Sequence, residues 1–174
     1  YFQKIFLKYK VPEDAFKLLD TNSEFKGTPK NMKVIYQNNF ENDTTIIDCG
    51  IPPIEGQRSY CLTAEHQESP VYKVKVDPEQ TDWIRATATF RCRNKEWHTW
   101  SMTNFIIRFY DNGKEVGARL IRVYRFLDDG ETERIYFDAK PPRKYFNEVG
   151  VVFWNANSDK PLAIDEVQLE AFQE

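Results

Sequence analysis

From Trp83 to Arg93 the chain reads WIRATATFRCR, with an apolar residue at every second position. Ile84, Ala86, Ala88, Phe90 and Cys92 share one face; Arg85, Thr87, Thr89, Arg91 and Arg93 share the other. A period of two predicts a strand with one side buried and one side wetted. Related segments recur along the chain: KVIYQNNF, SYCLTAE, VYKVKV, FIIRFY, ARLIRVYRF, RIYFDA, GVVFWN and LAIDEVQLEAF. Turn-forming DNGK and DDGE and the proline loop PPRKYFN separate several of them. About nine short strands with such punctuation predict an all-β fold, a two-sheet antiparallel β-sandwich of the jelly-roll kind. No strand–helix alternation calls for a parallel sheet.

The opening differs from the rest. VPEDAFKLLD places a proline at a plausible first helical position with two acids behind it, which predicts a short N-terminal helix of about two turns. Residues 1–30 therefore read as a leader or linker and 31–174 as the sandwich domain. The first residues, YFQ, carry no functional weight if they are the remnant of a cleavable tag. Taken as native, YFQKIFLKYK is a basic-aromatic stretch of the kind found beside a membrane anchor.

The closing segment breaks the alternation rule. Ala163, Val167, Leu169 and Ala171 share one parity, and Glu166, Gln168 and Glu170 the other, yet Asp165 falls on the apolar side. A buried carboxylate must meet a cation or several hydrogen-bond donors, because an isolated buried charge is very costly. It can also escape the interior where a bulge turns it outward.

Composition narrows the function classes. The 174 residues suit one domain, and 15% aromatic content is that of a folded, ring-rich protein. With 24 basic against 27 acidic residues the net charge is −3, which argues against a non-specific nucleic-acid binder. No apolar run reaches the roughly 18 residues of a membrane span, and no secretory signal is evident. Of the three cysteines, Cys49 and Cys61 flank a Pro-Pro-Gly loop and could pair in an oxidising compartment, a question of geometry that spacing leaves open. Two histidines and no CxxC make a zinc site an unpromising reading.

The order of the segments carries a resemblance. NNFEND resembles the N-x-x-F-E opening of a class of jelly-roll carbohydrate-binding modules that bind cellulose, xylan and related glycans, within the galactose-binding-like superfamily. GQRSYCLTAE is similar to their G-x-x-S-L-x-V strand. VYKVKVDPEQTDWIRATATFRCR resembles their paired strands around a proline turn, and VGVVFWNANSDKPLAIDEVQLEAF their closing hairpin, which commonly ends I-D-D-V-x-L. The likeness covers roughly residues 33 to 173. Glu166 replaces the usual second acid, and no tryptophan follows FEND. The resemblance implies that the Phe-Glu segment and the Asp strand lie side by side, with Glu41 and Asp165 as candidate ligands of a structural Ca2+ in an oxygen-rich shell. It also implies an extracytoplasmic location: periplasmic, cell-surface or secreted.

Sugars present flat C–H faces, so proteins hold them with aromatic rings and polar side chains that fix the hydroxyls. RCRNKEWHTWSMTN places Trp97 and Trp100 three residues apart in a polar loop, a candidate binding lip. Alternation in FIIRFY, RLIRVYRF and RIYFD predicts that Arg108, Tyr110, Arg122, Tyr124 and Tyr136 share the outer surface of one sheet. The competing reading is that sandwich cores consume most rings, Trp154 of VVFWN among them, and that the Tyr/Arg face is solvated or covered by a partner. The acids of LDDGETE sit in a Gly-containing turn, and His98 has no recognisable nucleophile or orienting partner beside it in sequence, so no catalytic residues are assigned. The sequence thus predicts a non-catalytic module for an oligo- or polysaccharide, an accessory domain of a larger exported or surface protein. The alternative is a structural or protein-interaction sandwich appended to a membrane-anchored enzyme, with no sugar site.

Overall fold

The computed structural model describes residues 24–43 and 47–174, and the helix expected within VPEDAFKLLD lies outside them. Among the described residues nine strands run in chain order: β1 Lys30–Asn38, β2 Tyr60–Leu62, β3 Tyr72–Lys75, β4 Trp83–Cys92, β5 Asn104–Asp111, β6 Lys114–Arg122, β7 Thr132–Ala139, β8 Glu148–Trp154 and β9 Leu162–Gln173. They form two antiparallel sheets. One has the order β1-β9-β4-β7, with β2 also paired to β9; the other has the order β3-β8-β5-β6. The architecture is a β-sandwich. Among the described residues no helix is long and apolar enough to cross a membrane.

Why these residues form these strands is clearest in the core. Ile84, Ala86, Ala88, Phe90 and Cys92 of β4 all point inward and are buried. Facing them from the second sheet, Phe105, Ile107 and Phe109 of β5 and Val149, Val151 and Phe153 of β8 do the same. The sheets are keyed together by rings: Phe90 and Phe137 of the first meet Phe105 and Phe153 of the second at centroid distances of 5.1–5.8 Å. Edge-to-face contacts of this kind add to the burial energy. The β5–β6 hairpin turns at Asn112 and Gly113, whose φ values of 47° and 84° are both positive, as a two-residue turn matched to strand twist requires.

The last strand departs from simple alternation. In its pairing with β4, Thr87 faces Gln168 and Thr89 faces Asp165, so Glu166 and Val167 together stand against Ala88. Glu166 takes φ 48°, the left-handed conformation of a bulge residue. The extra residue flips the parity. Val167, Leu169 and Ala171 point inward on one side of it, and Leu162 and Ile164 on the other. Asp165 and Ala163 are thereby turned to the outer face of the sheet, where Ala163 had been expected to join the inward set. A loop covers both. Ile51, Cys49 and Ile54 pack with Cys61 on Ala163, and a Cys49–Cys61 disulfide holds that loop to β2.

Candidate functional site

Two regions concentrate polar and aromatic groups, and they differ in kind. The first surrounds Asp165, which is fully buried. Its Oδ2 accepts hydrogen bonds from Ser59 Oγ at 2.7 Å and from the Glu55 backbone N–H at 3.3 Å, and its Oδ1 from the Glu166 N–H at 2.8 Å. Glu41 reaches the same loop, its Oε1 accepting from the backbone N–H groups of Gln57 and Arg58. Gly56, at φ 59°, leaves room for this carboxylate where any Cβ would collide with it. Burial pushes the Asp165 carboxyl above the usual range; the Ser59, Glu166 and Glu55 bonds oppose that, and the charge of Glu41 adds to it. The Glu166 carboxyl is raised too, by burial first and then by Asp165, Glu55 and Glu41.

This donor set does not suit a cation. The loop aims N–H and O–H groups at both carboxylates, whereas Ca2+ needs oxygen lone pairs converging on one point. Among the described residues, no group of three or more His, Cys, Asp and Glu is placed to hold a metal ion. Glu41 and Asp165 act together as a latch that draws the disulfide loop onto β9. A depression of about 640 Å³ beside that loop is lined by residues such as Asp48, Ile51, Pro52 and Arg58, with no aromatic ring among the described residues that line it.

The second region lies at the end of the sandwich where the β4–β5 and β8–β9 loops meet. Trp97 and Trp100 are 67% and 77% exposed, and Trp154, at the end of β8, is 40% exposed. The loops beneath are fixed by buried polar bonds. Thr103 Oγ1 donates to Asn155 Oδ1, Asn155 Nδ2 donates to the carbonyls of Ser158 and Lys160, and Ser158 Oγ donates to Glu96. Thr103, Asn155 and Ser158 are essentially inaccessible to water. A cation attends each loop ring: Lys95 Nζ lies 4.8 Å from the Trp97 centroid, and the Arg122 guanidinium 5.4 Å from that of Trp100. Lys95 is also bound to Asp128. His98 Nδ1 lies 3.2 Å from Ser101 Oγ, a partner the sequence reading passed over, but the pair closes a local turn in which His98 N–H donates to Glu96.

The shared Tyr/Arg face expected from alternation is not assembled. Tyr124 lies in a 3-10 turn, Val123–Arg125, that succeeds β6, and this change of backbone swings its ring into the core, where it is fully buried. Tyr136 belongs to β7 in the other sheet, beneath the Arg85 guanidinium at 4.7 Å. That guanidinium is held by a two-pronged ion pair with Asp138. Tyr110 does lie on the outer face of the β3-β8-β5-β6 sheet, but Lys73 Nζ sits 3.9 Å above its ring and leaves it only 5% exposed. Arg108 on the same face is spent on Glu68 and Glu115. Of the strand residues expected in a ligand site, the structure brings only Arg122 to the tryptophan end. Trp154, expected as core filler because sandwich cores consume most rings, joins it, because Phe153 is the inward residue and the next position must face out.

No family model and no curated protein matches the chain. Among solved structures it is similar to a family 16 carbohydrate-binding module (12% identity, 67% of this chain and 78% of that one, TM-score 0.45). It is likewise similar to the CBM22-1 xylan-binding domain of Paenibacillus barcinonensis Xyn10C (11%, 84% and 99%, TM-score 0.45). A third similar structure is the Stig cyclase Fisc of Fischerella sp. TAU (14%, 87% and 80%, TM-score 0.44). At such identities and overlaps none of these likenesses carries a function to this chain; that has to come from its own site.

Proposed function

We propose that the domain is a non-catalytic glycan-binding module whose binding lip is the Trp97, Trp100 and Trp154 end of the sandwich. The observation that carries this reading is the exposure of Trp97 and Trp100 on a loop anchored by buried hydrogen bonds. Large rings are costly to leave in water, and a rigid frame beneath them loses little entropy when a ligand arrives. Pyranose C–H faces match exposed indoles. The Cys49–Cys61 disulfide fits an oxidising, extracytoplasmic compartment, as expected of an accessory module in a larger exported or surface protein.

A glycan array tests the reading. Binding to at least one oligosaccharide class is expected, with Trp100→Ala weakening it by about tenfold or more. Silence across plant, host and microbial glycans, or unchanged binding by Trp97→Ala and Trp100→Ala, would end the proposal in favour of a protein-interaction sandwich.

A further inference from the structure

Register places four side chains of the tryptophan end in a row. Asn104 of β5 pairs with Trp154 on one side and with Arg122 on the other, and Trp100 lies over Arg122. All three strand residues point away from the core, because Phe105, Phe153 and Ile121 beside them pack on it; Asn104, between its neighbours, is only 6% exposed. Two strand spacings, roughly 10 Å, separate the backbones of Trp154 and Arg122. A surface with a ring at each end and polar groups between suits a chain of sugars rather than a single one.

The polar groups in the middle are unspent. Among the described residues, the Arg122 guanidinium makes no ion pair or hydrogen bond, and the Asn104 side-chain amide makes no hydrogen bond. The neighbouring charges are otherwise engaged: Glu96 with Ser158 and His98, Asp128 with Lys95, Glu68 with Arg108. Arg122 is therefore a half-buried cation whose planar fork of donors matches an anionic oxygen pair, and no carboxylate among the described residues answers it. Neutral sugars need only hydroxyl-directed donors such as Asn104. A guanidinium without a carboxylate partner, set against Trp100, would favour a sugar carrying negative charge.

We infer that the Trp154–Asn104–Arg122–Trp100 row selects acidic glycans, with Arg122 binding a carboxylate or sulfate group on a sugar stacked against Trp100. The inference rests on the glycan-binding reading and names the ligand class for that site. Calorimetric titration of the intact chain with three tetrasaccharides tests it: a uronic-acid oligomer, its carboxyl-reduced neutral counterpart of identical linkage, and a sulfated oligomer. The uronic-acid oligomer is expected to bind at least tenfold more tightly than the carboxyl-reduced one. Arg122→Gln should erase that ratio while leaving the melting temperature in place. Preferred binding of the sulfated oligomer, also lost in Arg122→Gln, supports the same anion recognition with sulfate as its source. Equal binding of acidic and neutral oligomers, or an unchanged ratio in Arg122→Gln, overturns the inference and leaves the glycan-binding reading standing. Failure of all three to bind, with an array also silent, overturns both.

Discussion

The two polar regions use similar residues to opposite ends. Around Asp165 every recorded donor points at an acceptor, the carboxylate is fully buried, and a disulfide closes the loop above it. At the tryptophan end three indoles face solvent, while among the described residues the Arg122 guanidinium makes no ion pair or hydrogen bond beyond its contact with Trp100, and the Asn104 side-chain amide makes no hydrogen bond. A buried polar group that is fully satisfied serves the fold, since losing its partner costs more than making the bond gains. Polar groups and rings left open on a rigid frame do nothing for stability. On the proposed reading, their use lies in what binds them.

The contrast predicts a double dissociation. The largest effect on stability is expected from removing the disulfide: Cys49→Ala with Cys61→Ala should lower unfolding free energy by about 3 kcal/mol, the entropy of opening a short loop, as read by denaturant titration. Asp165→Ala should cost about 2 kcal/mol, because Ser59 Oγ and the Glu55 N–H lose their acceptor. Both changes should leave affinity for a glycan within about twofold of the natural chain, the site being elsewhere. Trp100→Ala should do the reverse, shifting stability by less than about 0.5 kcal/mol, as surface substitutions do. A latch substitution that abolished binding while the fold persisted would merge the two regions and break the comparison.

A subtler effect follows from the raised Asp165 carboxyl. Its folded-state pKa lies above the unfolded value, so its contribution is favourable below the ordinary carboxylate range and is lost as pH rises through the folded value. The stability of the natural chain relative to Asp165→Asn should therefore fall as pH rises through that interval; a rise would mean the latch prefers the charged form more strongly than the open chain does. The smallest expected effect is that of a chelator. With N–H donors occupying both carboxylates, EDTA should move the melting temperature by less than about 1 °C, and a shift of several degrees would show a bound ion.

Much of the fold was legible because alternation marks which residues face the core along a regular strand. In β4 every residue expected inward lies in the core, although Thr87 and Thr89 on the opposite face are buried as well. Alternation failed where the backbone changes without announcing it. Glu166 adopts a left-handed conformation that glycine or asparagine would have signalled, and so the outward turn of Asp165 and Ala163 could be posed as a question about the acid but not located. Val123–Arg125 winds into a 3-10 turn in a sequence that still alternates, and Tyr124 was misplaced with it. Periodicity also tells inside from outside but not which sheet, so Tyr136 was grouped with residues from which the core separates it. The exposure of Trp97 and Trp100 was legible because a polar loop offers two indoles no core to fill. Trp154 was missed because composition weighed more than its parity.

Four tryptophans provide the most direct test of the account, because three are exposed at one end and Trp83 is buried on the outer face of the other sheet, packed against Phe25 and Phe172. Their indole N–H resonances can be followed by NMR while an oligosaccharide that the array selects is added. The account predicts that Trp100 and Trp154 shift together and saturably, with Trp97 affected and Trp83 unmoved. Saturable binding that shifts Trp83 or leaves all four unmoved would place the ligand elsewhere and contradict it.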